Sequence, residues 1–227
     1  MNVRTLLLTT GLAVAIVACG PQRQTAETGE QAEAATASND AATYVLDGTS
    51  SSLVWTGSKP VGDSHTGTIE VSEGTLSVEH DAITAGSFVI DMTTIVNTDI
   101  EDSTYNANLV GHLESDDFFG VDAHPTATFE VTNVEAIEGE PDVTHHIMGN
   151  FTLKGITHEI NIPAVVSIDP SRITTKAIFS IDRSKWNVTF RSGSFFDDLG
   201  DKLISDDIAL ELNLIAYTAG METAIAQ

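Results

Sequence analysis

"DDIALELNLIA", residues 206–216, sets the fold class. Ile208, Leu210, Leu212, Leu214 and Ala216 recur at every second position, with Asp207, Glu211 and Asn213 between them. A period of two, not 3.6, marks a strand with one face on a core and the other in water. The preceding stretches repeat it. "ITHEINIPAVVSI" (156–168) aligns Ile156, Ile160, Ile162, Ala164, Val166 and Ile168. "RITTKAIFSID" (172–182) sets Ile173, Ala177, Phe179 and Ile181 against Thr174, Lys176, Ser180 and Asp182. "HHIMGNFTLKG" (145–155) aligns Ile147, Phe151 and Leu153, with Gly149 between them.

Further strands are expected at 52–57, 66–71, 74–80 and 84–92, joined by Gly-containing turns such as "SEGT" at 72–75. About eight strands separated by turn signals make an all-β chain, a sandwich or an up-and-down barrel. Periodicity does not separate the two. Pro163 lacks an N–H, so its strand should be an edge, bulged or poorly paired there. One stretch breaks the pattern: residues 102–117 space Tyr105, Leu109 and His112 or Leu113 by threes and fours, a short helical insertion.

The N-terminus reads differently. "MNVR" is a positively charged leader, and "LLLTTGLAVAIVA" (6–18) is an apolar run too short to span a bilayer. Residues 1–18 are therefore expected to be a secretory signal. Ile16-Val17-Ala18-Cys19 resembles a bacterial lipobox, which implies acylation of Cys19, the chain's single cysteine. The competing reading is cleavage elsewhere and an incidental cysteine. Gly20 in place of an aspartate leans toward the outer membrane, with the protein facing the periplasm. Residues 20–43 contain no aromatic and no Leu, Ile, Val or Met. Residues 19–43 are thus expected to be a disordered tether with a reach of about 25–30 Å. The barrel or sandwich should occupy 44–218, with a tail at 219–227.

The chain carries 33 acids against 10 bases, a formal charge of −23. That excludes nucleic acid, whose phosphates require Lys and Arg, and favours a neutral ligand over a phosphorylated one. No nucleophile elbow, phosphate-cradling Gly-Lys loop, H-E-x-x-H or calcium loop occurs, so no enzyme is expected. His145 and His146 are adjacent and point to opposite strand faces, a poor metal pair. Neither metal nor cofactor is expected.

Four stretches carry a resemblance: "YVLDGTSSSLVWTGSK" (44–59), "GHLESDDFFGVDAHPTATFEV" (111–131), "GNFTLKGITHEINIPA" (149–164) and "SGSFFDDLGDKLISDDIALEL" (192–212). Together they look like the YceI-like, polyisoprenoid-binding family. The resemblance implies a lipocalin-like extended antiparallel β-barrel of about eight strands holding a long isoprenoid, such as a quinone or polyprenyl lipid. Many members carry Arg-Asp where this chain has Leu109-Val110, so only His112 and Leu113 carry over from that element. The implied partners are the isoprenoid, the membrane through the lipid anchor, and a second copy in a homodimer. The alternatives are a filled interaction module of the envelope, or a stress or redox accessory presenting a quinone.

Two aromatic pairs flanked by acids, Phe118-Phe119 and Phe195-Phe196, are expected at the mouth of an apolar cavity, the carboxylates forming its rim; the competing reading is a plug. Phe151, Phe179, Leu210 and Leu212 are the expected inward wall. His112 is a candidate head-group contact, or a buried histidine where helix meets barrel. Arg183, Lys185, Arg191 and Lys202 fall in one 20-residue stretch. They form either a patch for an anionic head group or ion pairs with Asp197, Asp198 and Asp201. Trp186 would be core or stack beside that patch.

Overall fold

The structure, a computed structural model, describes residues 24–140 and 142–220. In chain order its elements are β1 (Gln24–Thr25), β2 (Thr28–Gly29), β3 (Ala42–Leu46), β4 (Ser52–Ser58), β5 (Ser64–Glu79) and β6 (Ala82–Asn97). There follow α1 (Ser103–Glu114), β7 (Thr126–Ala136), β8 (His145–Leu153), β9 (Ile156–Asp169), β10 (Arg172–Asp182) and β11 (Asp207–Thr218). Successive strands from β5 to β11 pair antiparallel, and β3 and β4 share one wall position between β11 and β5. The outcome is a closed eight-stranded antiparallel barrel with one helix. Closure removes the open edges of the sheet except along one seam between β9 and β10, as half-buried strands of this length require.

Because hairpins alternate ends, the barrel has two distinct rims. The helix rim carries α1, the 59–63 hairpin tip, the Lys154–Gly155 turn and the 183–206 connection. The far rim carries the β5–β6, β7–β8 and β9–β10 turns.

Local signals explain the helix. Asp102 accepts N–H bonds from Thr104 and Tyr105 at 2.9 and 3.0 Å, an N-cap. At the other end Ser115 turns back, its N–H and hydroxyl both donating to the His112 carbonyl. Leu113 is buried, but Tyr105 is exposed, so the inward stripe of α1 begins later than its spacing predicted.

Three expectations change. "SEGT" is not a turn: β5 runs through it, with register shifts against β6 between Val71 and Glu73. Gly74 permits this because the Phe88 ring lies where a side chain would stand. β6 also extends to Asn97, past its expected end. The largest change concerns the expected tether.

Residues 24–43 are a strap on the barrel wall. β9 and β10 pair only from Ala164–Asp169 with Arg172–Ala177, and beyond that they diverge. The strap enters that seam: β1 runs parallel to Phe179–Ser180, and β2 runs antiparallel to Glu159–Ile160. Ala26, buried between them, donates to the Ser180 carbonyl at 2.7 Å. The strap then crosses β8 at Asn150, and Ala35 donates to the Val131 carbonyl of β7 at 2.9 Å. Composition predicted disorder because the segment has no large apolar side chain. Its order comes instead from unpaired strand edges, which composition does not register. Pro163 lies at the same seam, one residue beyond the end of the β9–β10 ladder, where no N–H is needed.

The signal (1–18), Cys19 and the end of the tail (221–227) lie outside the described residues.

Candidate functional site

The inward side chains enclose an apolar lumen. It extends from Thr175 and Leu214 toward the far rim to Arg183, Ile204 and Ser205 at the helix rim. Its volume is about 170 Å³, below the ~300–1,000 Å³ of pockets that hold drug-sized molecules. It is a slot, suited as it stands to a slender occupant. Phe151, Phe179, Leu210 and Leu212 all line it, as their strand parity predicted. Leu210, Leu212 and Leu214 face the lumen yet are only half-buried. Across the barrel, Leu53, Ile69 and Phe129 complete the wall, with Trp55, whose buried indole N–H has no hydrogen-bond partner.

The helix rim is closed by aromatics. Phe118 and Phe119 are 7% and 9% exposed and line the lumen beside Leu113. Their ring centroids lie 6.3 Å apart. The neighbouring Asp117 side chain is 61% exposed, so the carboxylate keeps the segment solvated while the rings turn inward. Lys154 pins this loop, donating to the carbonyls of Asp116 at 2.8 Å and Phe118 at 2.6 Å. Burial lowers its pKa, and the Asp116 and Asp117 carboxylates pull back the other way. Lys154 reaches the loop because it opens a two-residue Lys-Gly turn, with φ of 49° there and 74° at Gly155. The tertiary partner of this turn was not legible in the sequence.

Arg183 is 1% exposed at the same rim. It donates to the carbonyls of Ser205 (3.0 Å), Val188 (2.6 Å) and Ile204 (3.2 Å). It also meets Asp206 as an ion pair at 3.3 Å and lies over the Phe118 ring at 5.8 Å. Burial lowers its pKa, against Asp206 and Asp182. Arg183 is therefore a staple tying β10 to the lead-in of β11, not a free head-group contact.

The other basic residues do not join it. Lys185, Arg191 and Lys202 are exposed, and among the described residues none has a carboxylate within ion-pair distance. Arg191 instead lies over the Phe190 ring at 5.0 Å. The expected pairs with Asp197, Asp198 and Asp201 are not formed.

Two further expectations are corrected, and Trp186 is core, not a stacking surface beside the basic patch. Phe195 and Phe196 are 57% and 51% exposed and stand off the lumen, because a turn at Ser192 aims them outward. Trp186 is fully buried but behind the wall, donating to the Phe151 carbonyl at 3.1 Å. His112 lies outside the lumen, edge-on to Phe118 and Phe190 at 5.0 and 4.6 Å, with Asp117 at 3.3 Å.

A barrel of this topology, plugged at one rim by paired phenylalanines, has relatives. Residues 44–216 match the YceI-like domain. The chain belongs to the YceI-like family. A UPF0312 protein of Pseudomonas aeruginosa strain LESB58 is 44% identical over 69 residues, 30% of this YceI-like chain. The chain spans about a third (34%) of that curated relative's length. Among solved structures, BcnA of Burkholderia cenocepacia is similar with a TM-score of 0.57 at 20% identity, covering 75% of this chain and 98% of its own. A polyisoprenoid binding domain from Saccharophagus degradans, implicated in plant cell wall breakdown, gives 0.55 at 17% identity, covering 77% and 98%. At those identities the likeness speaks for the fold. The strap, ending at β3, lies almost wholly ahead of the matched YceI-like residues.

Proposed function

We propose that this protein binds a long, slender isoprenoid lipid, of quinone or polyprenyl type, and sequesters or carries it in the cell envelope. The observation that carries this reading is the lumen itself: a narrow apolar slot along the barrel, lined by half-buried Leu210, Leu212 and Leu214. Each buried methylene contributes about 0.8 kcal/mol, so ten carbons in the slot would supply about 8 kcal/mol before ordering costs. Such binding selects for length and cross-section, not for a head group. Membership of the YceI-like family and likeness to a polyisoprenoid binding domain support it.

In this reading Cys19 is acylated and the protein is a periplasm-facing lipoprotein, preferentially of the outer membrane. The strap changes what that anchor does. Gln24 is already on the barrel wall, so five residues at ~3.3–3.6 Å each leave at most about 18 Å to the acylated cysteine. The barrel is held close to the bilayer. Binding, not catalysis, is the activity proposed, and Leu113, Phe118, Phe119, Phe151, Phe179, Leu210 and Leu212 are the proposed ligand contacts.

The test is organic-solvent extraction of protein purified from its native host, followed by mass spectrometry. An isoprenoid at about one per chain is the expected result. A folded barrel that yields none would leave an interaction module of the envelope as the better reading.

A further inference from the structure

Two loops at the helix rim expose large apolar side chains that the fold does not use. Val61, at the tip of the 59–63 hairpin, is 89% exposed; Phe195 and Phe196 are 57% and 51% exposed. The loops flank one segment. Ser205 donates to the Ser58 carbonyl at 2.8 Å, at the base of the hairpin, and Ile204 bridges to Ser192 at the base of the aromatic turn. Ile204 and Ser205 themselves line the end of the lumen. The exposed side chains therefore stand around the rim where the lumen ends.

The aromatic turn is built, not loose. Phe195 and Phe196 both donate their N–H to the Ser192 carbonyl, at 3.2 and 3.0 Å. Ser192 is fully buried, and its hydroxyl and that of Ser194 both donate to Asp206, at 2.9 and 2.7 Å. Asp206 in turn faces Arg183. Holding two phenyl rings in water by an ordered network is unfavourable unless something covers them.

We infer that this rim docks on a lipid bilayer, with Val61, Phe195 and Phe196 inserted at the level of the acyl chains. Charge points to a bilayer. Within 59–63 and 189–203, Lys59, Arg191 and Lys202 stand against Asp63, Asp197, Asp198 and Asp201, close to neutral. The whole chain carries −23, and α1 with its flanks is acidic at the same rim, so it is these two loops, not the rim as a whole, that anionic lipid repels least. Shape agrees, since side chains projecting from separate loop tips enter a fluid surface more readily than they fill one protein groove. Docking here would set the end of the lumen against the membrane interior.

The test uses the full chain with phosphatidylcholine vesicles whose acyl chains are brominated, which quench tryptophan on contact. Trp55 and Trp186 are 7% and 0% exposed and give a common background. Phe196→Trp reports on the helix rim; Ser171→Trp, in the exposed β9–β10 turn, reports on the far rim. Emission from F196W should fall by about half while S171W stays at background. The double variant Phe195→Ser/Phe196→Ser should bind the same vesicles about tenfold more weakly, with its melting temperature unchanged. Equal quenching at both rims, or none at either, overturns the inference. Docking needs no cargo, so an extraction that finds the lumen empty would sink carriage and leave this result standing.

Discussion

Ala32 and Asn150 exchange two hydrogen bonds across more than a hundred residues of sequence. The Ala32 N–H donates to the Asn150 Oδ1 at 2.9 Å, and the Asn150 amide returns a bond to the Ala32 carbonyl at 2.8 Å. Asn150 is 2% exposed although it points away from the lumen, because the strap lies over it. A side-chain amide here copies a strand ladder and holds the strap across β8.

Asn150→Ala should therefore cost about 1–3 kcal/mol, since it leaves two backbone groups unpaired. For a chain of this size that lowers the melting temperature by roughly 2–4 °C per kcal/mol. Hydrogen exchange at residues 26–35 should accelerate selectively. A cost near zero would mean that the strap does not hold to the wall in solution.

The two phenylalanine pairs, alike in sequence, should respond in opposite ways. Phe118→Ala removes a ring that is 7% exposed and should cost about 3–5 kcal/mol in denaturant titration. Phe196→Ala, at 51% exposure, should stay within about 0.5 kcal/mol of the parent.

Arg183 should resist conservative exchange. Arg183→Met strands Asp206 and three carbonyls at a buried rim, a loss of about 3–5 kcal/mol in thermal or chemical unfolding. Arg183→Lys should recover little of it, because an ammonium cannot fork to Ser205, Val188 and Ile204 together.

Blocking the slot should separate carriage from folding. Leu212→Trp enlarges a half-buried lumen side chain, and its overpacking cost should stay within about 1–3 kcal/mol. The folded variant should yield no isoprenoid on extraction, where the parent yields about one per chain.

Acid sensitivity should have an assignable component. Burial raises the pKa of Asp99, but it is outweighed by bonds from the Thr66 N–H, His65 and Asn97, which hold the carboxyl at about 2. A carboxyl depressed below its ordinary 3.8 stabilises the fold above that value and loses its contribution as pH falls toward 2. Asp99→Asn should flatten the stability profile between about pH 4 and 2 and leave its shape near neutrality unchanged.

Alternation at Ile208–Ala216, Ile156–Ile168 and Ile173–Ile181 named the strands and their inward faces, and the lumen wall at Phe179, Leu210 and Leu212 follows from that parity. It did so because a strand's side-chain period is local: each residue's face depends only on its neighbours in the chain. The barrel's closure, the seam beside Pro163 and the strap that fills it depend on which strand edges remain unpaired. No residue's own composition records that. The same limit separated Phe118 from Phe196. Both stand beside paired acids in loop sequence, and only the Lys154 clamp on one turn and the Ser192–Asp206 network under the other determine that the first ring faces the lumen and the second faces out.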